Sequence, residues 1–247
     1  MKLIRERHLK IVKLLEQMDS DALQSMDCFF GGGTAVSLLT NEYRLSTDVD
    51  FMCSTNSGYK ELREAVFGGS LDKLFRNGSP KLLREVRADR DGIRAIIDLE
   101  GEPLKFEIVL ESRIKLDSAH TELPVPTLSK NSLFAEKLLA NADRGLDKAG
   151  LSKDMFDLII MQHYWGSIPL EPLKTTKDIY GMTVAECYLK VFNMLKSNTS
   201  YLNDCLQQLD IDKESFQIIK TYLTNPLNGM TVMHHFDELD IHARPKY

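Results

Sequence analysis

The chain has 247 residues, of which 43% are apolar and 27% charged, and a formal net charge of −5. That length gives one large domain or two small ones a core each, and the composition excludes a disordered, collagen-like or repeat-built chain. No stretch approaches the ~20 consecutive apolar residues of a membrane-spanning helix, and the opening MKLIRERHLKIVKLLEQM mixes charged with apolar positions where a signal peptide would carry an apolar core, so a cytoplasmic protein without membrane contact is expected.

In chain order, Leu3, Ile4, His8, Ile11, Val12, Leu15 and Met18 recur at three- and four-residue steps, which predicts an opening helix that packs by one face. Cys28-Phe29-Phe30 then enters a triple glycine followed by a helical run, Thr34 to Leu39: strand, tight turn, helix. Val49, Phe51 and Cys53 alternate with Asp48, Asp50 and Met52, the period of a strand with unlike faces, and both aspartates share one face. After a helix near 59–67, strand-like runs at 82–88, 93–99 and 104–110 are separated by the turn signals Asp91-Gly92 and Glu100-Gly101-Glu102-Pro103, and predict a β-meander joined to the first two strands. Beyond Leu123-Pro124-Val125-Pro126 helical periodicity takes over, with helices expected at 128–142, 152–165, from Thr183 (a capping-box spacing to Glu186), at 201–209 and at 215–223. Two domains follow, 1–124 and 125–247. Cys28, Cys53, Cys187 and Cys205 lack the C-x-x-C spacing that zinc needs and read as reduced thiols. The His234-His235 pair reads as a surface feature and Tyr164-Trp165 as core, and no Ser-His-Asp or Cys-His nucleophile arrangement stands out.

The chemistry is concentrated in Gly31-Gly32-Gly33-Thr34 and, fourteen residues after Thr34, Asp48-Val49-Asp50. Glycines after a strand let backbone approach a ligand, and the helix behind them offers unpaired N–H groups to a triphosphate. Two carboxylates at i and i+2 of a strand repel each other, which a cation relieves, and the arrangement suits one or two Mg²⁺ ions bridging phosphate oxygens. Glu107, in the run Leu104-Lys105-Phe106-Glu107-Ile108-Val109-Leu110, is the candidate third carboxylate, with Asp98 on the preceding strand as the alternative.

The segment from Phe30-Gly31-Gly32-Gly33-Thr34-Ala35 through Arg44-Leu45-Ser46-Thr47-Asp48-Val49-Asp50-Phe51 resembles the G-G-T-A … R-x-S-x-D-x-D signature of AbiEii-type toxins, members of the DNA polymerase β-like nucleotidyltransferase superfamily. Leu133 to Ala140 looks like the family's lysine-bearing helix, which singles out Lys137, and Lys153-Asp154-Met155-Phe156-Asp157-Leu158 looks like its K/R-D-x-x-D-L element. The resemblance spans about residues 30–160; many relatives have Asp where this chain has Glu107, and the tail beyond Pro169 matches no family element.

That resemblance implies an α+β fold, a nucleotidyltransferase mixed sheet with flanking helices followed by a C-terminal helical bundle, with the second domain completing the nucleotide cleft. By similarity, Gly32, Gly33 and Thr34 hold the nucleotide phosphates and Asp48 and Asp50 bind Mg²⁺, with Glu107 beside them. Arg44 and Ser46 contact phosphate or brace the loop. Lys137, on the flank of an apolar stripe, reaches either water or the triphosphate. Asp157 falls among apolar residues and needs a partner, for which Lys137 is the candidate, whereas Asp154 lies in a first helical turn where an acid is favourable as a capping group. The implied activity is transfer of a nucleotide from an NTP to an RNA acceptor, the 3′ end of a tRNA being one candidate, with a cognate antitoxin as partner. Two alternatives stand beside it: the same chemistry on a small molecule such as an antibiotic, and a catalytically silent nucleotide-binding module.

Overall fold

A computed structural model describes residues 3–243, which divide into a sheet unit, 3–42 with 46–132, and a helical unit, 43–45 with 133–243. The class is α+β, as the sequence patterns predict.

In the sheet unit, α1 (Glu6–Glu16) and a short α2 (Ser20–Ser25) lead into β1 (Cys28–Gly31), α3 (Gly32–Leu39), β2 (Val49–Cys53), α4 (Asn56–Ala65) and the strands β3 (Leu82–Ala88), β4 (Gly92–Leu99) and β5 (Glu102–Leu110). Two short strands, β6 (Ser118–Ala119) and β7 (Thr127–Leu128), complete a seven-stranded sheet of order β3-β4-β5-β2-β1-β7-β6. The meander β3-β4-β5 is antiparallel, β5 runs parallel to β2, and β1 is antiparallel to β2 and parallel to β7, so the sheet is mixed. Glu100 and Gly101, both at positive φ (52° and 90°), make the two-residue turn that joins β4 to β5.

Alternation decides the faces. Val49, Phe51 and Cys53 of β2, Ile93, Ala95 and Ile97 of β4, and Leu104, Phe106 and Ile108 of β5 are buried on one side. Phe30, Phe51 and Phe106 stack across three strands, with centroids 5.4 and 5.8 Å apart, and each such fully buried ring contributes roughly 1.5–3 kcal/mol. Residues 48, 50, 105, 107 and 94 are left for the opposite face.

The helical unit consists of α5 (Lys130–Arg144), α6 (Lys153–Trp165), α7 (Leu170–Tyr180), α8 (Thr183–Ser197), α9 (Thr199–Gln208), α10 (Lys213–Thr224) and α11 (Pro226–Ala243). Phe134, Leu138, Phe156, Ile160, Tyr188, Phe192, Ile219 and Phe236 form its core. A Cβ on Gly229 of α11 would lie 2.7 Å from the Phe192 ring of α8, so this glycine sets how closely those two helices approach. Trp165 is half-buried and packs edge-on against Phe134, but Tyr164 is exposed, so the pair expected to be core is only partly so. Among the described residues no helix is long and apolar enough to cross a membrane. The four cysteines are free thiols.

Several elements differ from the sequence reading. The sheet continues past residue 124: the Phe30 N–H donates to the Pro126 carbonyl at 2.8 Å, and Thr127 pairs with Phe30. Only two residues long, β7 is too short to show a period. Met182, not a side-chain cap, starts α8, so the Thr183–Glu186 spacing is not a capping box. No helix is predicted from the sequence at α7 or α11: α7 is capped by Pro169 and carries Pro172 in its first turn, and α11 begins at Pro226 and carries Gly229 at its close contact with α8.

Candidate active site

The turn from β1 to α3 is built by its glycines. Gly31 is the cross-strand partner of Asp50. Gly32, the first residue of α3, has φ +68°, and a Cβ there would sit 2.6 Å from the Asp50 Oδ2 and 2.9 Å from its Cβ. Both the left-handed backbone and the absence of space exclude any side chain. Gly33 follows as the second residue of α3, where backbone N–H groups have no intrahelical partner. The buried Thr34 hydroxyl is spent inside the protein: it donates to the Asp48 carbonyl at 2.5 Å and lies 2.8 Å from the Ser46 hydroxyl. A helix start and a pair of strand acids therefore meet, held by a threonine bridge.

On the neighbouring strand, Glu107 is the register partner of Asp50, and Arg94 of β4 is the register partner of Glu107. Lys105, two residues before Glu107 and on the same face, holds its carboxylate at 2.6 Å, and Arg94 holds it at 3.2 Å. Partial burial opposes the Lys105 charge, but the Glu107 hydrogen bond, with the fields of Glu107, Asp48 and Asp50, overcomes it, so the lysine titrates above its ordinary range. The alternative acid, Asp98, accepts from the Gly101 N–H at 2.7 Å and pairs with Lys81 at 2.8 Å, which ties it to the β4–β5 hairpin. Of the two candidates Glu107 is the one beside Asp50.

No group of three or more His, Cys, Asp or Glu side chains among the described residues is gathered to hold a metal ion. Asp48 and Asp50 fit Mg²⁺ as a pair, because this ion is commonly held by one or two carboxylates together with substrate phosphates. The Glu107 carboxylate is engaged by Lys105 and Arg94.

Behind the acids lies a brace that the sequence reading missed. His8, fully buried on α1, meets the Glu42 carboxylate through Nδ1 at 2.8 Å and the Ser46 N–H through Nε2 at 3.1 Å. Burial pushes the His8 pKa down more than the Glu42 and Ser46 contacts raise it, so the ring protonates less readily than a free imidazole; its Nε2 also lies 3.0 Å from the Ser46 carbonyl. Glu42 also accepts from the Ile4 N–H at 2.6 Å and the Arg5 N–H at 3.3 Å. The available signal was a histidine on an otherwise apolar stripe, which periodicity alone counts as core.

In the helical unit, Asp157 is fully buried and pairs with Lys137 at 2.6 Å and with Arg44 at 3.0 and 3.2 Å, while the Tyr43 hydroxyl donates to it. Asp154 joins the same network, with Lys137 at 3.1 Å and Arg144 at 2.7 and 3.1 Å. The capping role expected for Asp154 is thus replaced by ion pairing: Ser152, at the helix start, makes no side-chain cap and instead shares a hydrogen bond with the Tyr201 hydroxyl. Lys137 finds the partner expected for it and does not reach water, being 4% exposed. Burial raises the carboxylate pKa values, yet Arg44 and Lys137 around Asp157, and Lys137 and Arg144 around Asp154, hold both below the usual range. For Lys137 burial lowers the pKa, and the two aspartates more than reverse it.

Residues 13–215 match the family described as nucleotidyl transferase AbiEii toxin of type IV toxin–antitoxin systems. The chain belongs to the AbiEii family. It is a nucleotidyltransferase of that toxin family. The AbiEii chain is also similar in fold to two solved Helicobacter pylori structures. One, a candidate nucleotidyltransferase, is 18% identical at a TM-score of 0.52, covering 96% of this chain and 99% of its own. The other, JHP933, is 17% identical at a TM-score of 0.51, covering 98% and 100%. Both likenesses concern the fold alone. No curated protein matches the chain.

Proposed function

We propose that this AbiEii nucleotidyltransferase uses Mg²⁺ to transfer a nucleotide from an NTP to a hydroxyl of an RNA acceptor in the cytoplasm, as the toxin of a pair whose antitoxin restrains it. The observation that supports the reading best is the seating of Gly32 directly against the Asp50 carboxylate, with Asp48 two residues earlier on the same face. The turn at Gly32, Gly33 and Thr34 receives the triphosphate on its N–H groups. Asp48 and Asp50 hold the metal, and Glu107, the expected third carboxylate, lies beside Asp50 in register but is held by Lys105 and Arg94. Mg²⁺, when bound, neutralises charge on the phosphate oxygens. In the same reading Ser46 braces the turn through its hydrogen bond with Thr34, while Asp157 holds Arg44 and Lys137 in the buried network of the helical unit. The acceptor oxygen forms a bond to the α-phosphorus as the bond to pyrophosphate breaks, and positioning with charge neutralisation supplies most of the acceleration.

Incubation with each α-labelled NTP, Mg²⁺ and either cellular RNA, purified tRNA or a panel of hydroxyl-bearing antibiotics tests it. Label in RNA that disappears with Asp50→Asn is the expected result. Label confined to a small acceptor replaces RNA by a small-molecule substrate, and no transfer to any acceptor by wild type leaves a silent module.

A further inference from the structure

The face of the sheet that carries the acids does not end at Glu107. A single register row runs Gly31, Asp50, Glu107, Arg94, Arg87 across β1, β2, β5, β4 and β3. Cross-strand partners project from the same face, so the acids pass sideways into cations, ending at the edge strand β3. With strands spaced ~4.8 Å apart, the row from Asp50 to Arg87 covers about 14 Å.

The edge strand is irregular in a way that adds to this row. Arg84 pairs with Ile96 and Arg87 with Arg94, so that three residues on β3 match two on β4, with a register shift between them. In a regular strand residues three apart point to opposite faces. The irregularity brings both arginines to the face of Glu107 and Asp50, and bulges beside functional sites re-aim side chains in this manner.

Their charges are uncommitted. Arg94 is shared between Glu107 and Asp89, Lys105 is held by Glu107, and Lys81 by Asp98. Arg84 and Arg87 are exposed and carry no ion pair or side-chain hydrogen bond among the described residues. Edge strands do carry charge to discourage unwanted strand pairing, but that purpose needs neither one sign nor one face. Here two arginines are delivered by a bulge to the face where the chemistry is proposed, in a chain whose overall charge is negative.

We propose that Arg84 and Arg87 form a track for the phosphodiester backbone of the acceptor RNA, leading its terminal nucleotide along the sheet face toward Asp48 and Asp50. The inference rests on the RNA reading above. The partner is recognised by phosphate charge, without base readout, so binding is salt-dependent and tolerant of sequence.

The test is fluorescence anisotropy with a 5′-fluorescein RNA hairpin bearing a single-stranded 3′ tail, over a salt series. For Arg84→Glu/Arg87→Glu we expect affinity to fall about tenfold or more, and the log–log salt slope to shrink by about 1.4 for two lost phosphate contacts on a single strand. Arg84→Lys/Arg87→Lys retains most of the affinity, binding of a fluorescent NTP analogue stays at the wild-type level in both variants, and Lys60→Glu/Arg63→Glu on α4 leaves RNA affinity within about twofold. Unchanged RNA affinity and slope in the Glu variant, while wild type still labels RNA, overturns the track and leaves the proposed function standing. An equal loss in the α4 variant overturns it too, by reducing the effect to net charge. Wild type that neither binds nor labels RNA removes both.

Discussion

Replacing Asp157 by Asn tests whether the ion network of the helical unit is closed to water. The carboxylate is fully buried and meets Lys137 at 2.6 Å and Arg44 at 3.0 and 3.2 Å. The amide keeps the shape and one acceptor oxygen but removes the charge that balances a guanidinium only 4% exposed. Taking one partner from a buried pair costs about 3–5 kcal/mol. Because Lys137 keeps Asp154 at 3.1 Å, the lower end of that range is expected, about 3 kcal/mol against a total of roughly 5–15. Urea unfolding followed by circular dichroism at neutral pH measures it as a lower midpoint at unchanged slope. Combined with Lys137→Met, the double-mutant cycle gives a coupling of about 1–3 kcal/mol. The sign of the pH dependence is also determined: the carboxylate pKa is depressed in the fold, so its stabilisation is present above the unfolded value of about 3.9 and is lost as pH falls through the lower folded value. The gap between wild type and Asp157→Asn therefore narrows below about pH 4. A loss under about 1 kcal/mol, the range of solvent-exposed pairs, refutes the closed network.

Gly32→Ala forces a side chain into the Asp50 carboxylate from a left-handed backbone; it is expected to destabilise by about 1–3 kcal/mol and to reduce nucleotide transfer at least about tenfold by displacing the acid, both read from one preparation by thermal melting and label incorporation. Asp50→Asn and Asp48→Asn are expected to lower transfer by about a hundredfold or more while leaving the melting temperature equal to or above wild type, since either change relieves carboxylate repulsion; a melting temperature that still rises with added Mg²⁺ in both variants goes against their assignment to the metal. His8→Gln removes a group whose pKa is depressed by burial, so the stability that wild type loses as pH falls below about 6.5 is absent from the variant, as urea midpoints at pH 7.5 and 5.5 will show.

The fold was legible where period and turn chemistry agree. The alternation at 48–53 and the glycine-bearing turns of the meander predict β2 through β5 nearly to the residue. Pairing order was not legible: nothing in the run Leu104-Lys105-Phe106-Glu107 reveals that it lies parallel to β2 with Glu107 opposite Asp50. The same limit hid the arginine row, because the register shift on β3 reverses which face Arg84 and Arg87 occupy relative to one another. Short elements such as β6, β7 and α2 escaped because two to six residues carry no measurable period. Lys137 and Asp157 were visible as a charged pair on apolar helix faces, but the third and fourth members, Arg44 and Asp154, have local surroundings that suggest solvent.

The segment from Glu42 to Asp50 explains why a motif can single out a set of residues and still misjudge what several of them touch. Asn41 and Glu42 both have positive φ, and the residues that follow hand their side chains to different partners: Glu42 to His8, Tyr43 and Arg44 to Asp157, Ser46 to Thr34 and, through its backbone, to His8. Only Asp48 and Asp50 keep their carboxylates on the face beside the glycine turn. The charged and hydroxylated positions of R-x-S-x-D-x-D thus divide by burial: the arginine is 3% exposed and satisfied by a carboxylate, the serine is half-buried and bridged, and the acids remain partly open. A buried charge without a partner costs several kcal/mol, so each supporting residue constrains its partner as strongly as itself. Substituting Arg44 is accordingly expected to act first through stability and the Asp157 network, and Asp50 first through chemistry, a difference that melting temperature and transfer rate, measured on the same variants, separate.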